Sequence, residues 1–309
     1  MPDLLDVTVV VATADHRDRL RHSLSHLVDL PGRPPVVVVD NGSCDGSPEM
    51  VEAEFGHHRQ LELVRLPEDR GALARNEGVR RARTRYVAFS DDDSWWAPQA
   101  LPRAVAAFEA HPALGLVAAR ATLVPSGETD RASLAMAAAP LGHDPALPGP
   151  PVLGFTARAG VLRAAAFEQV GGFDELVGSG GEDLLSLDLA TAGWQQCYLE
   201  DVEAPHGPPG PPDPARRAVR ERDALLVCWL RRPLPSALRA TAALVARAAR
   251  DGHLGREVVV LARCLPPALL RRRPIARALE RSWRTAHAPR PLRHPAPPRG
   301  LHRRRPGTA

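Results

Sequence analysis

The chain has 309 residues, 44% of them hydrophobic and 25% charged, with a formal net charge of +4. That is the composition of a globular protein able to bury a sizeable core, and no apolar run reaches the roughly 18 residues of a membrane span. The charge is split: residues 1–212 hold 17 Arg against 30 acids, and residues 213–309 hold 23 Arg against 6, with no Lys anywhere. An acidic body with a basic tail predicts that the tail meets an anionic surface. The four cysteines (Cys44, Cys197, Cys228, Cys264) are scattered with no CxxC pair. This argues against a zinc cluster and for a reduced, cytoplasmic setting. The opening Met-Pro-Asp-Leu-Leu-Asp has acids where a secretory leader would have a basic segment, so no leader is expected.

In chain order, Val7–Ala12 is a β-branched run too short for a helix and reads as a buried parallel strand. A helix follows, with Leu20, Leu24 and Leu27 on one face. Val36–Val39 is the second strand, ending in the polar turn Asp40-Asn41-Gly42-Ser43-Cys44-Asp45-Gly46-Ser47. Leu61–Leu66 reads as strand, Gly71–Ala82 as helix, Tyr86–Phe89 as strand, and Pro98–His111 as helix with proline in its first turn. Leu114–Ala118 and Thr122–Val124 are short strands. Pro125–Pro151, rich in Pro, Gly, Ala and Ser, reads as a mobile loop. Order resumes with Phe155–Leu162, a short helix at Ala164–Gln169, the turn Gly171-Gly172-Phe173-Asp174-Glu175, a helix over Glu182–Ala192, and strands at Gln195–Leu199 and Val202–His206. This alternation predicts an α/β fold, a mostly parallel sheet with flanking helices. Residues 1–207 form that domain and 208–214 a Pro-rich linker. Residues 215–287 form an Arg-rich helical extension, with helices at 215–231, 236–250, 254–271 and 275–284; residues 288–309 are a disordered basic tail.

The stretch with the clearest chemistry is Asp91-Asp92-Asp93, three carboxylates closing a buried strand. Ligands of open α/β sheets gather at such strand ends, and adjacent like charges call for water, an arginine or a divalent cation. A metal holding a diphosphate is one reading, and a solvated acidic turn capping the next helix is the other. Asp40 also ends a strand, where a carboxylate can accept a base imide N–H or form an Asx turn with Ser43. Thr13, Asp15 and Arg17 follow the first strand, as ligand contacts or as helix caps. Gly71 opens a helix whose N–H groups favour phosphate, to which Arg75 adds charge. Glu182 and Asp183 open another, as acid–base groups or as acids stabilising the first turn.

Taken in order, the Asp40 turn, Gly71 with Arg75-Asn76, the Asp91–Asp93 triplet, Gly-Gly-Phe-Asp-Glu, Glu182-Asp183 and His206 resemble a family 2 glycosyltransferase of the GT-A, Rossmann-like fold. The likeness covers residues 7–207 and is nearest the rhamnosyltransferase-like enzymes of bacterial surface polysaccharide assembly. It implies an inverting transfer from a UDP- or dTDP-sugar to a glycan or lipid-linked acceptor. Asp40 would read the base and Thr13, Asp15, Arg17, Gly71, Arg75, Asp91 and Asp92 would line the nucleotide-sugar site. Asp93, with Asp91 and His206, would hold Mg²⁺ or Mn²⁺; Asp183, beside Glu182, would be the base. The family often has Asn where Asp69 stands here. Two rivals are a sugar nucleotidyltransferase, opposed by the lack of an early Gly-rich basic loop, and a non-catalytic membrane-surface scaffold, opposed by the intact acidic set. The basic extension is expected to combine two roles, lying on an anionic membrane at its inner face and packing on the body with solvated arginine faces. Nucleic acid is disfavoured because stacking aromatics are few there (Trp229, Trp283).

Overall fold

A computed structural model describes residues 5–178, 181–208, 210, 214–250, 252 and 254–288. All but the first residue of the predicted tail 288–309, and residues 209 and 211–213 of the predicted linker, lie outside these residues.

The valine runs become the centre of an eight-stranded sheet. Strand β1 (Val7–Thr13) is followed by helix α1 (Arg17–Val28), β2 (Val36–Asn41), α2 (Ser47–Met50, continued as a π turn over Val51–Phe55) and β3 (Leu61–Leu66). Next come α3 (Leu73–Arg81), β4 (Tyr86–Asp91), α4 (Ala100–Ala110), β5 (Leu114–Leu123), β6 (Glu128–Thr129) and α5 (Arg131–Ala137). A 3₁₀ turn at Ala157–Ala159 leads to β7 (Gly160–Arg163), then α6 (Ala164–Val170), α7 (Gly181–Thr191) and β8 (Gln195–His206). The order across the sheet is β3-β2-β1-β4-β7-β5-β6, with β8 also paired to β5. The first four strands are mutually parallel, β7 is antiparallel to both β4 and β5, and β8 is parallel to β5. Two reversals restore the direction, so β1, β2, β4 and β8 all point their carboxyl ends to one side.

Strands β1 and β2 are buried on both faces, which is why they read as unbroken apolar runs rather than alternating ones. One face carries α1 and α4, through Leu20, Leu24, Leu27, Leu101 and Phe108; the other carries α3, α6 and α7, through Val79, Phe167, Leu185 and Leu189. Helix α3 lies directly on β1, since a Cβ at Gly78 would stand 2.2 Å from Val10 Cγ1.

Two predicted strands fuse into β5 and two more into β8, because each pair of segments keeps the same neighbouring strand on both sides of the positions that break the apolar pattern. Within β8 the register slips: Ala119 faces Leu199, but the next residue, Arg120, faces Glu203. The Glu203 carboxylate then accepts from Arg120 and Thr122, at 2.8 and 2.9 Å. The predicted loop at 125–151 is not all irregular. It contains β6 and α5, whose N-cap Asp130 accepts the Ser133 amide at 2.7 Å; Ala-rich sequence between prolines hid that helix.

The extension forms α8 (Pro214–Arg231), α9 (Leu234–Arg250), α10 (Leu254–Leu270) and α11 (Arg277–Ala286), close to the predicted bounds. Its apolar faces share a core with Leu153, Val177, Leu184 and Leu187 of the body. Arg231 pairs with Asp188, and Arg271 with Asp174 and Glu175. Packing on the body, one of the two expectations for the extension, is therefore observed.

Candidate active site

Strand register assembles the site. Thr13 lies abreast of Asp40, and Ala12 abreast of Asp91, so the loops leaving β1, β2 and β4 meet at one edge. At the end of β8, His206 forms an antiparallel bridge with Ser94, and the Gly207 amide donates to the Asp93 carbonyl at 2.8 Å.

The loops after β1 and β2 are knitted together. The Cys44 amide donates to Asp15 Oδ1 (2.7 Å), the Asp15 amide to Ser43 Oγ (3.0 Å), and the Arg17 amide to Asp45 Oδ2 (2.8 Å). Asp15 and Arg17 thus sit at the rim with their backbones engaged. Asp40 is buried; its Oδ2 accepts the Ser43 amide at 3.3 Å while Oδ1 has no partner. The Asx-turn alternative is realised, and one carboxylate oxygen still faces the site unsatisfied. Asn41 ties Asp69 and Gly71 together ahead of α3. That helix starts without a side-chain cap, and its first amides, Leu73, Ala74 and Arg75, donate instead to the carbonyls of Arg70, Gly71 and Ala72.

The three aspartates have three different surroundings. Asp91 Oδ1 accepts from Arg75 at 2.5 Å, and Asp91 Oδ2 lies 3.5 Å from Arg158. Burial works to raise its pKa, but the two guanidiniums outweigh it and hold the carboxyl below its ordinary value. Asp92 turns away to His16 (2.8 Å) and Thr13 (3.5 Å), and burial pushes its carboxyl up despite the histidine. Asp93 Oδ1 has Arg158 at 3.5 Å but no hydrogen bond. His206 Nε2 likewise has none, while its Nδ1 lies 3.0 Å from Arg158 and 2.8 Å from the Gly207 carbonyl.

Among the described residues no three His, Cys, Asp or Glu side chains stand together as a ready-made metal cage. The donor set nevertheless suits Mg²⁺ or Mn²⁺, which bind through one or two protein ligands and complete their shell with phosphate and water. Two buried atoms with no hydrogen bond among the described residues, the Asp93 carboxylate oxygen and the His206 imidazole nitrogen, are the pair such an ion would take.

Arg75 also faces Glu182, whose carboxyl is raised by burial against the pull of that arginine. Asn76 receives the Phe173 amide and donates to the Phe173 carbonyl, both at 2.9 Å, and so locks the Gly-Gly-Phe-Asp-Glu turn onto α3. Asp183, one residue beyond Glu182, is part-exposed. Arg158, His16 and His287 were not singled out from sequence. His16 lies within a segment already marked by Thr13 and Arg17; the other two carry no local signal.

Residues 8–168 match the family described as Glycosyl transferase family 2. The chain belongs to that family. It is 33% identical over 202 residues to a pre-mycofactocin glycosyltransferase of Mycobacterium tuberculosis, an overlap of 64% of this chain and 42% of that protein. A second relative, a putative teichuronic acid biosynthesis glycosyltransferase of Bacillus subtilis, is 31% identical over 93 residues, 29% of this chain and 36% of that protein. The chain thus spans less than half the length of either relative. Among solved structures, a mannosyltransferase from Pyrobaculum calidifontis in complex with GDP-Man and Mn²⁺ superposes with a TM-score of 0.60 at 24% identity, covering 91% of this chain and 84% of that one. S. aureus TarS 1-349 in complex with UDP-GlcNAc gives 0.56 at 18% identity, covering 72% of this chain and 64% of that one. These likenesses show the GT-A fold, the family 2 architecture expected from the ordered motifs.

Proposed function

We propose that this family 2 chain catalyses an inverting, metal-dependent transfer of a sugar from a UDP- or dTDP-sugar to a hydroxyl of a glycan or lipid-linked acceptor. The observation that carries the reading is the pair of buried atoms with no hydrogen bond among the described residues, Asp93 Oδ1 and His206 Nε2, at the shared carboxyl edge of the sheet. The GDP-Man and Mn²⁺ of the archaeal mannosyltransferase structure agree with such a site.

In this reading the free Oδ1 of Asp40 accepts the imide N–H of a pyrimidine base. Asp91, kept ionised by Arg75 and Arg158, lies toward the ribose; Thr13, Asp15, Arg17, Gly71 and Asp92 line the remainder. Asp93 and His206 would hold the divalent ion, which when bound acts as a Lewis acid offsetting charge on the leaving diphosphate. Arg158 competes for both ligands. Its guanidinium always donates, so while it bonds His206 Nδ1 the ring proton must sit on Nε2. Turning Nδ1–H to the Gly207 carbonyl frees Nε2 and releases Arg158 to pair with diphosphate oxygens. As the acceptor oxygen bonds to the sugar carbon and the carbon–diphosphate bond breaks, Asp183 takes the acceptor's proton, with Glu182 beside it.

Calorimetry with UDP, dTDP and GDP, each with Mn²⁺, Mg²⁺ or chelator, tests the donor site. Metal-dependent binding of the pyrimidine nucleotides is expected. Equal affinity in chelator removes the metal, and preference for GDP removes the Asp40 assignment.

For the extension we propose peripheral binding to an anionic membrane at the cytoplasmic face. Among the described residues no helix is long and apolar enough to cross a membrane. Leu234, Leu238, Leu269 and Leu270 are exposed on arginine-rich helices, a pattern suited to an interface. Sedimentation with anionic vesicles should fall as salt rises. Binding unchanged by removal of residues 215–309 would reassign the basic helices.

A further inference from the structure

The end of α11 returns to the catalytic edge. Trp283 is buried in the core shared with Leu153 and Leu184, and the His287 ring stacks on it, centroids 3.7 Å apart at 22°. His287 Nδ1 lies 3.0 Å from the Trp283 carbonyl. A carbonyl only accepts, so Nδ1 carries the proton, and in the neutral ring Nε2 is left as an acceptor. That nitrogen stands 3.7 Å from Asp183 Oδ1, which also only accepts. The gap exceeds a hydrogen bond, and among the described residues no donor is placed between the two atoms. Gly154 is the third wall: its φ is +132°, and a Cβ there would lie 3.5 Å from both Asp183 Oδ1 and His287 Nε2. Three segments far apart in sequence thus converge around a gap lined by two acceptors and kept open by a missing side chain.

We propose that His287 completes the acceptor subsite, its Nε2 accepting from the hydroxyl next to the one that attacks, so that the subsite takes a vicinal diol of a pyranose. The inference rests on the reading of Asp183 as the base. Two facing acceptors are satisfied by a ligand that brings two neighbouring O–H donors, one shared with Asp183 and one with His287. The Trp283 stack fixes the plane of the imidazole, and the Nδ1 bond fixes its tautomer. The basic extension thereby supplies a wall of the active site, and acceptor choice depends on where α11 docks.

The test uses the full chain with ¹⁵N-labelled histidine, UDP and Mg²⁺, assigning His287 by loss of its signals in His287→Phe, which keeps the stack. With the ring neutral, the free chain should show Nδ1 protonated and Nε2 bare. The Nε2 signal should shift on addition of methyl hexopyranosides with free hydroxyls and stay put with their permethylated counterparts. A protonated Nε2 in the free chain, or no response to any of the free glycosides, overturns the proposal. In transfer kinetics His287→Phe should raise the acceptor KM by about 2- to 10-fold, the loss of one hydrogen bond, with the donor KM unchanged. Unchanged acceptor KM alongside an inactive Asp183→Asn sinks the His287 inference and spares the base. An active Asp183→Asn sinks the base, and the Nε2 response then decides His287 by itself.

Discussion

Two clusters in this molecule are built from the same parts, arginine, hydroxyl or imidazole, and a sequestered carboxylate, yet they differ in closure. In the extension, Glu280 Oε1 accepts from Arg232 (2.9 Å), Ser236 (2.8 Å) and Arg284 (2.8 Å), and Oε2 from Arg232 (3.0 Å). Burial works to raise that carboxyl, but these bonds prevail and bring it down to about 2. At the sheet edge, Asp93 Oδ1, His206 Nε2, Asp40 Oδ1 and Arg75 Nε are buried with no hydrogen bond among the described residues. A closed cluster spends its polar groups on the fold. An open one keeps them for something that arrives later.

The contrast breaks most sharply at Asp93. Asp93→Ala should lower transfer by roughly 10³-fold, about 4 kcal/mol of transition-state stabilisation, with little change in thermal midpoint because no hydrogen bond to that oxygen is lost. A large drop in midpoint would mean the open cluster is structural after all. Glu280→Gln should do the reverse, costing about 3 kcal/mol in urea unfolding by stranding Arg232 and Arg284, while UDP binding by the folded protein persists.

The same cluster carries a pH signature. Because the folded value of Glu280 lies below the ordinary 4.5, its contribution is complete above 4.5 and disappears as pH falls through about 2. Acid unfolding of the wild type should therefore steepen across that window, and Glu280→Gln should lack the added slope. The smallest effect concerns Arg158. Replacing it by alanine removes a competitor from Asp93 and His206, so Mn²⁺ binding measured by paramagnetic resonance should tighten by about fivefold, near 1 kcal/mol. Weaker Mn²⁺ binding in that variant would show that the guanidinium supports the ion rather than displacing it.

What could be read from sequence followed from locality. The Val7 and Val36 runs announce buried parallel strands because both of their faces are covered, and Asp40 and Asp91 are conspicuous because each ends such a strand. The extension helices were legible from their apolar spacing. Arg158 was not, since its partners Asp91, Asp93 and His206 come from strands that meet only in the sheet. His287 was hidden for the same reason: only the docking of Trp283 carries it to Asp183. The helix at Arg131–Ala137 escaped notice because its composition resembles a loop, although Asp130 and Ser133 stand at capping distance in the sequence. The motif order also concealed a physical link, the reciprocal pair of hydrogen bonds between Asn76 and Phe173, which turns two separate signatures into one scaffold.

The slip in β8 acts as a spacer. Between the pairings of Leu199 and Glu203, residues 200–202 have no opposite number on β5. Closing that slip would carry the strand end on by three positions, about 10 Å of extended chain, and bring a residue other than His206 opposite Ser94. The register taken up after the slip therefore sets which side chain reaches the aspartates. Deleting residues 200–202 outright would leave Glu203 opposite Arg120 and His206 opposite Leu123, removing the slip while keeping the site aligned.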